Sequence, residues 1–215
     1  MKITHFGHAC VLVETNASRL LIDPGSMSEP QRSSGDIDAI LFTHSHIDHL
    51  HLPTVQELIH TRMPRTIVAD TDSDRVLADA DITNVTVADD AAGVKLDVAG
   101  VDVVATKVPH ATIHCELPHP VNNTYLFDGR LLHPGDAFWY PSQAVDVLLL
   151  PIGGPWMKLA EAVDYLRLVA PKVVIPIHQG GLAKPHRDLH SDILSKLSPA
   201  GTEFLPLASG ESVSL

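Results

Sequence analysis

One short stretch decides most of what this chain can become. Phe42-Thr43-His44-Ser45-His46-Ile47-Asp48-His49 places three histidines and an aspartate within six positions, directly behind the apolar pair Ile40-Leu41. Packing alone asks for no such concentration of polar rings, whereas a divalent metal does. Imidazole nitrogen and carboxylate oxygen are the ligands zinc takes when no thiolate is offered. His-x-His spacing also puts two side chains on one face of an extended segment rather than of a helix, which sets aside the helical zinc pattern. The expected place for these ligands is therefore the end of a strand and the loop that leaves it.

Composition bounds the rest. At 215 residues the chain has the length of one well-buried domain, expected to span 1–215. Its 45% hydrophobic and 19% charged residues are ordinary for a globular protein. A formal charge of −11 argues against nucleic-acid binding. Apolar runs such as Val145 to Ile152 stop well short of bilayer length, so no membrane span is expected. Met1-Lys2-Ile3-Thr4-His5 enters an alternating pattern with no apolar signal core, which makes the cytoplasm the expected location. Cys10 and Cys115 give no disulfide framework and read as small hydrophobes, with Cys115 beside His114 as an alternative ligand. The true anomaly is fourteen histidines.

Read in order, Lys2 to Phe6, Cys10 to Glu14 and Arg19 to Ile22 alternate like strands, with a turn at Thr15-Asn16-Ala17-Ser18. Ser26 to Asp38 is an aperiodic loop, and Ala39 to Phe42 a strand. Pro53 opens a helix through His60 with Val55, Leu58 and Ile59 inward. A strand at Thr66 to Ala69 precedes a helix begun by a capping-box-like Thr71 and Asp74, carrying Val76, Leu77 and Ala80 inward. Strands follow at Val85 to Val87, Val94 to Val98, Val101 to Val108, Thr124 to Phe127 and Arg130 to Leu132, the last two joined by the hairpin signal Asp128-Gly129. Val145 to Leu150 reads as a strand covered on both faces. The helix Met157 to Val169, the strand Lys172 to Ile177, a helix Arg187 to Leu197 burying Leu189, Ile193 and Leu197, and short strands over Glu203 to Leu215 complete the chain. This order predicts two similar α/β halves packed sheet to sheet with helices outside, a four-layer αβ/βα sandwich.

If ligands collect at strand ends, three more candidates stand out: His110 after Val103 to Pro109, Asp136 after Leu131-Leu132-His133-Pro134-Gly135, and His178 after Val173 to Ile177. Each is weak alone; with the first cluster they make seven, enough for two metals sharing a carboxylate. Thr43-His44-Ser45-His46-Ile47-Asp48-His49, the later Gly135-Asp136 pair and His178 near the end resemble the metallo-β-lactamase superfamily of metallohydrolases over nearly the whole chain. The resemblance implies that His44, His46 and His110 hold one metal, that Asp48, His49 and His178 hold the second, and that Asp136 bridges them. Gly7-His8-Ala9 and Leu21-Ile22-Asp23-Pro24 resemble more particularly the ascorbate-6-phosphate lactonase branch, in which Asp23 would orient a ligand histidine. Ala137 stands where that branch commonly has Thr. Of His110, His114 and His119, the first directly follows its strand and is preferred, with His114 next.

Other residues have blander readings. His8 belongs in the site wall or in a buried hydrogen bond, and His133 supports the site or the core. Trp139, Tyr140 and Trp156 wall a pocket or pack its rim, while His5, His51, His60, His186 and His190 are read as surface or capping residues.

The chemistry implied is hydrolysis of a small ester-like molecule, such as a lactone, by a hydroxide bridging two divalent ions. The expected ions are Zn2+, with Mn2+ or Fe2+ accepting the same donors. Asp48 is the expected proton-steering catalytic residue, and His8 or His119 could protonate the leaving group. The alternatives are a phosphodiesterase acting on a phospholipid or cyclic nucleotide, a di-iron redox protein, and a non-catalytic metal-binding module. The di-iron relatives carry a carboxylate where this chain has His46. The expected partner is a small-molecule substrate, and homo-oligomerisation is left open.

Overall fold

The structure, a computed structural model, describes residues 1–16 and 18–215; Ala17, in the expected Thr15–Ser18 turn, lies outside the described residues. Six strands of the first half are β1 (Lys2–His5), β2 (Val11–Glu14), β3 (Arg19–Ile22), β4 (Ala39–Leu41), β5 (Thr66–Ala69) and β6 (Val85–Val87), with α1 (Leu52–Arg62) and α2 (Thr71–Ala78) between the later ones. The second half holds β7 (Val94–Val98), β8 (Val101–Pro109), β9 (Val121–Phe127), β10 (Leu131–His133), β11 (Val147–Pro151), α3 (Leu159–Val169), β12 (Val173–Ile177), α4 (Lys184–Leu197) and β13 (Glu203–Phe204). The last strand, β14 (Ser212–Ser214), returns to the first half and pairs antiparallel with β1.

Two seven-stranded mixed sheets result, in the orders β14-β1-β2-β3-β4-β5-β6 and β13-β12-β11-β10-β9-β8-β7. Period-two alternation explains why each sheet is buried on both faces. Val11 and Val13 of β2, Ala39 and Leu41 of β4, Val147 and Leu149 of β11, and Ile175 and Ile177 of β12 meet in one core between the sheets. Their alternates face the other way: Leu12 and Ile40 pack with Val55, Leu58 and Leu77 of the first pair of helices, and Leu148 and Val174 with Val163, Leu166 and Leu194 of the second. Three apolar layers between four layers of secondary structure give the αβ/βα sandwich of the metallo-β-lactamase fold. Asp128 and Gly129, with φ of 48° and 64°, turn the β9–β10 hairpin as their dipeptide requires.

Local expectations fail in two helices. The cap of α2 is Asp70 rather than Thr71: its carboxylate accepts from the Asp72 and Ser73 amides, and Thr71 already lies inside the helix. Ala80 falls beyond the end of α2, which leaves Leu77 as its buried apolar anchor. Helix α4 begins at Lys184 and turns Leu194 inward, so Leu189 and Leu197 are exposed instead of buried. Its moderate apolar stripe permits more than one docking angle, and packing against α3 and β13 selects this one. Among the described residues, no helix is long and apolar enough to cross a membrane.

Candidate metal centre

The strand ends carry the polar cluster to the seam between the sheets. After β4 the chain leaves the first sheet as Phe42 to His49, while β8, β10 and β12 deliver His110, Asp136 and His178 from the second. Hydrogen bonds stitch the seam: the Asn123 amide donates to the Thr43 carbonyl at 2.7 Å, the His178 amide to the His8 carbonyl at 2.9 Å, and the Tyr125 hydroxyl to the Phe42 carbonyl at 2.7 Å.

All seven expected site residues converge there. His44, His46 and His110 form one group whose ligand-type atoms lie within 4.8 Å of one another; Asp48, His49 and His178 fall in a second that also takes in His8, and His44, His49 and Asp136 make a third. Asp136 stands between them. Its Oδ2 is 3.0 Å from His178 Nε2, 3.5 Å from His110 Nε2 and 3.9 Å from His44 Nε2, and its Oδ1 is 3.2 Å from His49 Nε2. His114 and His119 are exposed, whereas His110 is buried, so His110 alone of the three sits in the cluster.

The other ring nitrogens are held so that Nε2 faces inward. His110 Nδ1 lies 2.6 Å from the Ala111 carbonyl, His178 Nδ1 against the Gly153 carbonyl, and His49 Nδ1 2.7 Å from Asp23 Oδ2. The Thr43 hydroxyl donates to Asp23 Oδ2 at 2.6 Å, which leaves its oxygen to accept from His44 Nδ1 at 3.0 Å. Asp23 thus orients two histidines at once and also accepts from the Thr43 amide at 2.7 Å. Gly135, with a φ of 61°, lets Asp136 follow closely; a Cβ there would lie 2.2 Å from Asn122 Oδ1, the acceptor of the Asp136 amide. Gly25 does the same for the first loop, since its Cβ would fall 1.7 Å from the Asp48 carbonyl oxygen.

Do these residues fit a metal? His49 Nε2, His110 Nε2, His178 Nε2 and Asp136 Oδ1 are buried with no hydrogen-bond partner, which is costly unless something else fills the space between them. The protonation states suit it as well. Burial and the neighbouring His49 hold His44 well below the usual imidazole range, and burial beside His110 lowers His46. Burial opposes ionisation of both carboxylates, yet the bond from His8 and the His49 ring keep Asp48 low, and His49 and His178 do the same for Asp136. Neutral imidazole and ionised carboxylate are the ligand forms. His49 is the exception: against its burial, Asp136 and Asp23 lift it well above the usual range, so cation binding must displace a proton there.

His8, expected either in the site wall or in a buried hydrogen bond, is buried and hydrogen-bonded beside the cluster. Its Nδ1 accepts from the Gly180 amide at 3.1 Å, so in the neutral ring Nε2 carries the proton and donates to Asp48 Oδ2 at 3.0 Å. Its neighbour in the cluster is Asp48, and its backbone has a φ of 51°. His133 accepts from the Gly135 amide and bonds the Ala9 carbonyl, a buried link between the halves. Trp156 is buried with its ring centroid 6.2 Å from that of His110 and 5.6 Å from that of His178. Tyr140 is exposed, and the Trp139 carbonyl accepts from the Tyr165 hydroxyl.

Two of the histidines read as surface residues are not on the surface. His5 is buried on the face of β1 that Ile3 turns into the core, with its Nε2 3.1 Å from the His8 carbonyl and 3.3 Å from Gln179 Nε2. His190 is half-buried, its Nδ1 2.7 Å from the Ile152 carbonyl. His51 is the N-cap residue of α1, and His60 and His186 are exposed.

Two α/β halves with a histidine and aspartate centre at their joint define a metallohydrolase of the metallo-β-lactamase fold. The beta-lactamase superfamily domain matches residues 2–178. Protein Rv0786c of Mycobacterium tuberculosis is 38% identical, covering 96% of this chain and 97% of its own length. A UPF0173 metal-dependent hydrolase of Carboxydothermus hydrogenoformans is 32% identical over 83% of this chain and 84% of its own. In three dimensions the chain superposes on Igni18, a metallo hydrolase from Ignicoccus hospitalis, with a TM-score of 0.72 and 23% identity, covering 99% of this chain and 97% of Igni18. The chain belongs to the UPF0173 metal-dependent hydrolases of the metallo-β-lactamase superfamily.

Proposed function

We propose that this metal-dependent hydrolase works through a dinuclear centre within one domain, residues 1–215, and opens a small, uncharged ester-like substrate such as a lactone. His44, His46 and His110 would hold one divalent cation, Asp48, His49 and His178 the other, with Asp136 shared between them. The observation that carries this reading is the set of buried, unpaired nitrogens on both sides of one carboxylate. Zinc suits such a donor set, and manganese and ferrous iron accept it too. When bound, a cation pair supplies a strongly acidified water and a Lewis acid for the electrophilic oxygen.

The chain supplies the rest. Asp48, fixed by the His8 proton, holds a carboxylate oxygen at the mouth of the centre, where it can take and pass on a proton. Trp156 covers the His110 and His178 rings and keeps water from their far side. The mouth is a cavity of about 250 Å³ in which Met27, Pro155 and Leu182 face His8, Asp48 and His178. No Lys or Arg is among its lining residues, so apart from the cations themselves the mouth offers no ion pair to a charged group remote from the reacting bond. That favours an uncharged lactone over the ascorbate-6-phosphate type, and the substrate panel below separates it from a phosphodiester. The free thiols, one buried and one exposed, agree with a reducing cytoplasm.

Elemental analysis combined with turnover of lactone, carboxylic ester and phosphodiester panels tests the reading. Two equivalents of metal and lactone turnover are expected, with His46→Ala losing activity and one equivalent. A His46→Ala protein that keeps two metals, or a wild type that turns over only phosphodiesters, would sink it.

A further inference from the structure

The mouth of the centre has two kinds of surface. Its side chains able to hydrogen-bond are His8, Asp48 and His178, and all three already serve the centre: His8 is engaged with the Gly180 amide and with Asp48, and His178 Nδ1 with the Gly153 carbonyl. The remainder is Met27, Pro155, Leu182 and three glycines. A substrate held at the centre therefore meets no further hydrogen-bonding side chain in the mouth, and recognition of the rest of the molecule falls to apolar contact.

The apolar surface continues over the rim. Met27 is 49% exposed and Ile47 65%. They stand on adjoining loops, since the Ser26 amide donates to the Ile47 carbonyl at 2.9 Å, and Ile47 directly precedes Asp48. One exposed apolar side chain is ordinary. Two on the loops that flank Asp48, beside a wall of Pro155 and Leu182, form a surface that water covers at a cost until something apolar replaces it. Leu182 is the fixed part of that wall, packed so closely on Gly153 that a Cβ there would lie 2.7 Å from its Cγ. Met27 is the adaptable part, because an unbranched, flexible thioether moulds itself to chains of different shape.

We propose that the substrate carries an unbranched aliphatic chain, which leaves the reacting ring across Leu182 and Met27, and that Met27 and Ile47 set the length preferred. This rests on the lactone reading above and narrows it to lactones with an alkyl substituent. The cavity of about 250 Å³ takes the ring and the start of the chain, and the exposed pair at the rim takes the part that follows.

Isothermal titration of the metal-loaded protein with acetohydroxamate, butanohydroxamate, hexanohydroxamate and octanohydroxamate tests the chain separately from turnover, because the hydroxamate head needs only the cations. Affinity is expected to rise roughly twofold to fourfold per added methylene before levelling off. Met27→Gln and Ile47→Gln, both at exposed side chains, should each cut the octano-to-aceto affinity ratio by about threefold or more. In parallel, kcat/KM should climb from γ-butyrolactone through γ-hexalactone to γ-octalactone. A hydroxamate series that is flat or falls with length, or a rise indifferent to both substitutions, overturns the proposal, and so does lactone turnover that ignores chain length. Hydroxamate affinities that rise and respond to positions 27 and 47, without turnover of any lactone, would instead overturn the lactone reading and leave the seat for the chain in place.

Discussion

Replacing Asp23 by Asn changes one atom and should disturb both halves of the centre. Asp23 is fully buried and accepts three hydrogen bonds, from the Thr43 amide and hydroxyl and from His49 Nδ1, at 2.6 to 2.7 Å. Its backbone φ of 47° is one that Asn tolerates as well as Asp, so the fold has no conformational objection. With the amide oxygen kept on the Thr43 amide, the new NH2 faces the Thr43 hydroxyl and His49 Nδ1. His49 must then give up its Nδ1 proton and carry it on Nε2, the atom that faces Asp136. The Thr43 hydroxyl likewise turns to accept, which removes the acceptor that fixes His44 Nδ1. Losing an orienting partner of this kind costs roughly 10- to 100-fold in metal affinity, or about 1.4 to 2.7 kcal/mol. Chelator competition with stoichiometry by elemental analysis measures it, and near-ultraviolet circular dichroism verifies that the variant is folded. A folded Asp23→Asn protein with wild-type affinity at both positions would refute the orienting role.

Three further outcomes follow from the same geometry. Gly25→Ala sets a methyl 1.7 Å from the Asp48 carbonyl oxygen, so the metal loop must move; a loss of about 1–3 kcal/mol in denaturant melts is expected, together with weakened metal binding, and a wild-type melt would contradict it. His8→Leu removes the donor to Asp48 and should lower kcat at least tenfold with little change in metal content, whereas His8→Gln, which retains an N–H, should recover part of it; equal activity of the two would mean that the bond to Asp48 is idle. Asp70 is buried, and burial raises its pKa to about 6 from 3.8. A folded-state pKa above the unfolded one means that this group stabilises below about pH 4 and that its contribution is lost as pH rises through 6, about 3 kcal/mol in all at 1.36 kcal/mol per unit. Asp70→Asn keeps the cap and stays uncharged, so it should be more stable than the wild type at pH 7, with the gap closing towards pH 4 in thermal melts.

The parts of this molecule that the sequence disclosed are those in which one segment determines its own environment. Val147 to Pro151 is apolar at every position because parallel neighbours and both faces cover it, and no helix of that length would need to be. His44 to His49, His110, Asp136 and His178 could be found because each follows a strand, and strands of one sheet end together. What stayed hidden depends on distant chain. His5 shares a face with Ile3, which lies in the core between the sheets, and the groups that cover its ring come from distant chain: Gln179 Nε2 lies 3.3 Å from its Nε2, and the Leu207 carbonyl faces it. Helix α4 could not reveal its buried face, since its apolar residues allow several and the contact with α3 chooses among them.

Backbone sign was the other hidden variable, and it is concentrated at the centre. His8, Asp23 and His178 all adopt positive φ, which costs an ordinary side chain of order 1 kcal/mol or more. No hydropathy pattern registers that cost. Each of the three is the residue at which a chain leaves a strand or turn and must swing its side chain into the seam. His178 takes its φ of 61° while its amide donates to the His8 carbonyl, and His8 takes its own while its ring reaches Asp48. The two strained residues therefore hold each other across the sheets. Relaxing either one would turn a ring away from Asp48 and Asp136, so the strain and the site persist together: the sandwich holds the backbone in these conformations, and they aim the side chains at the space between the carboxylates.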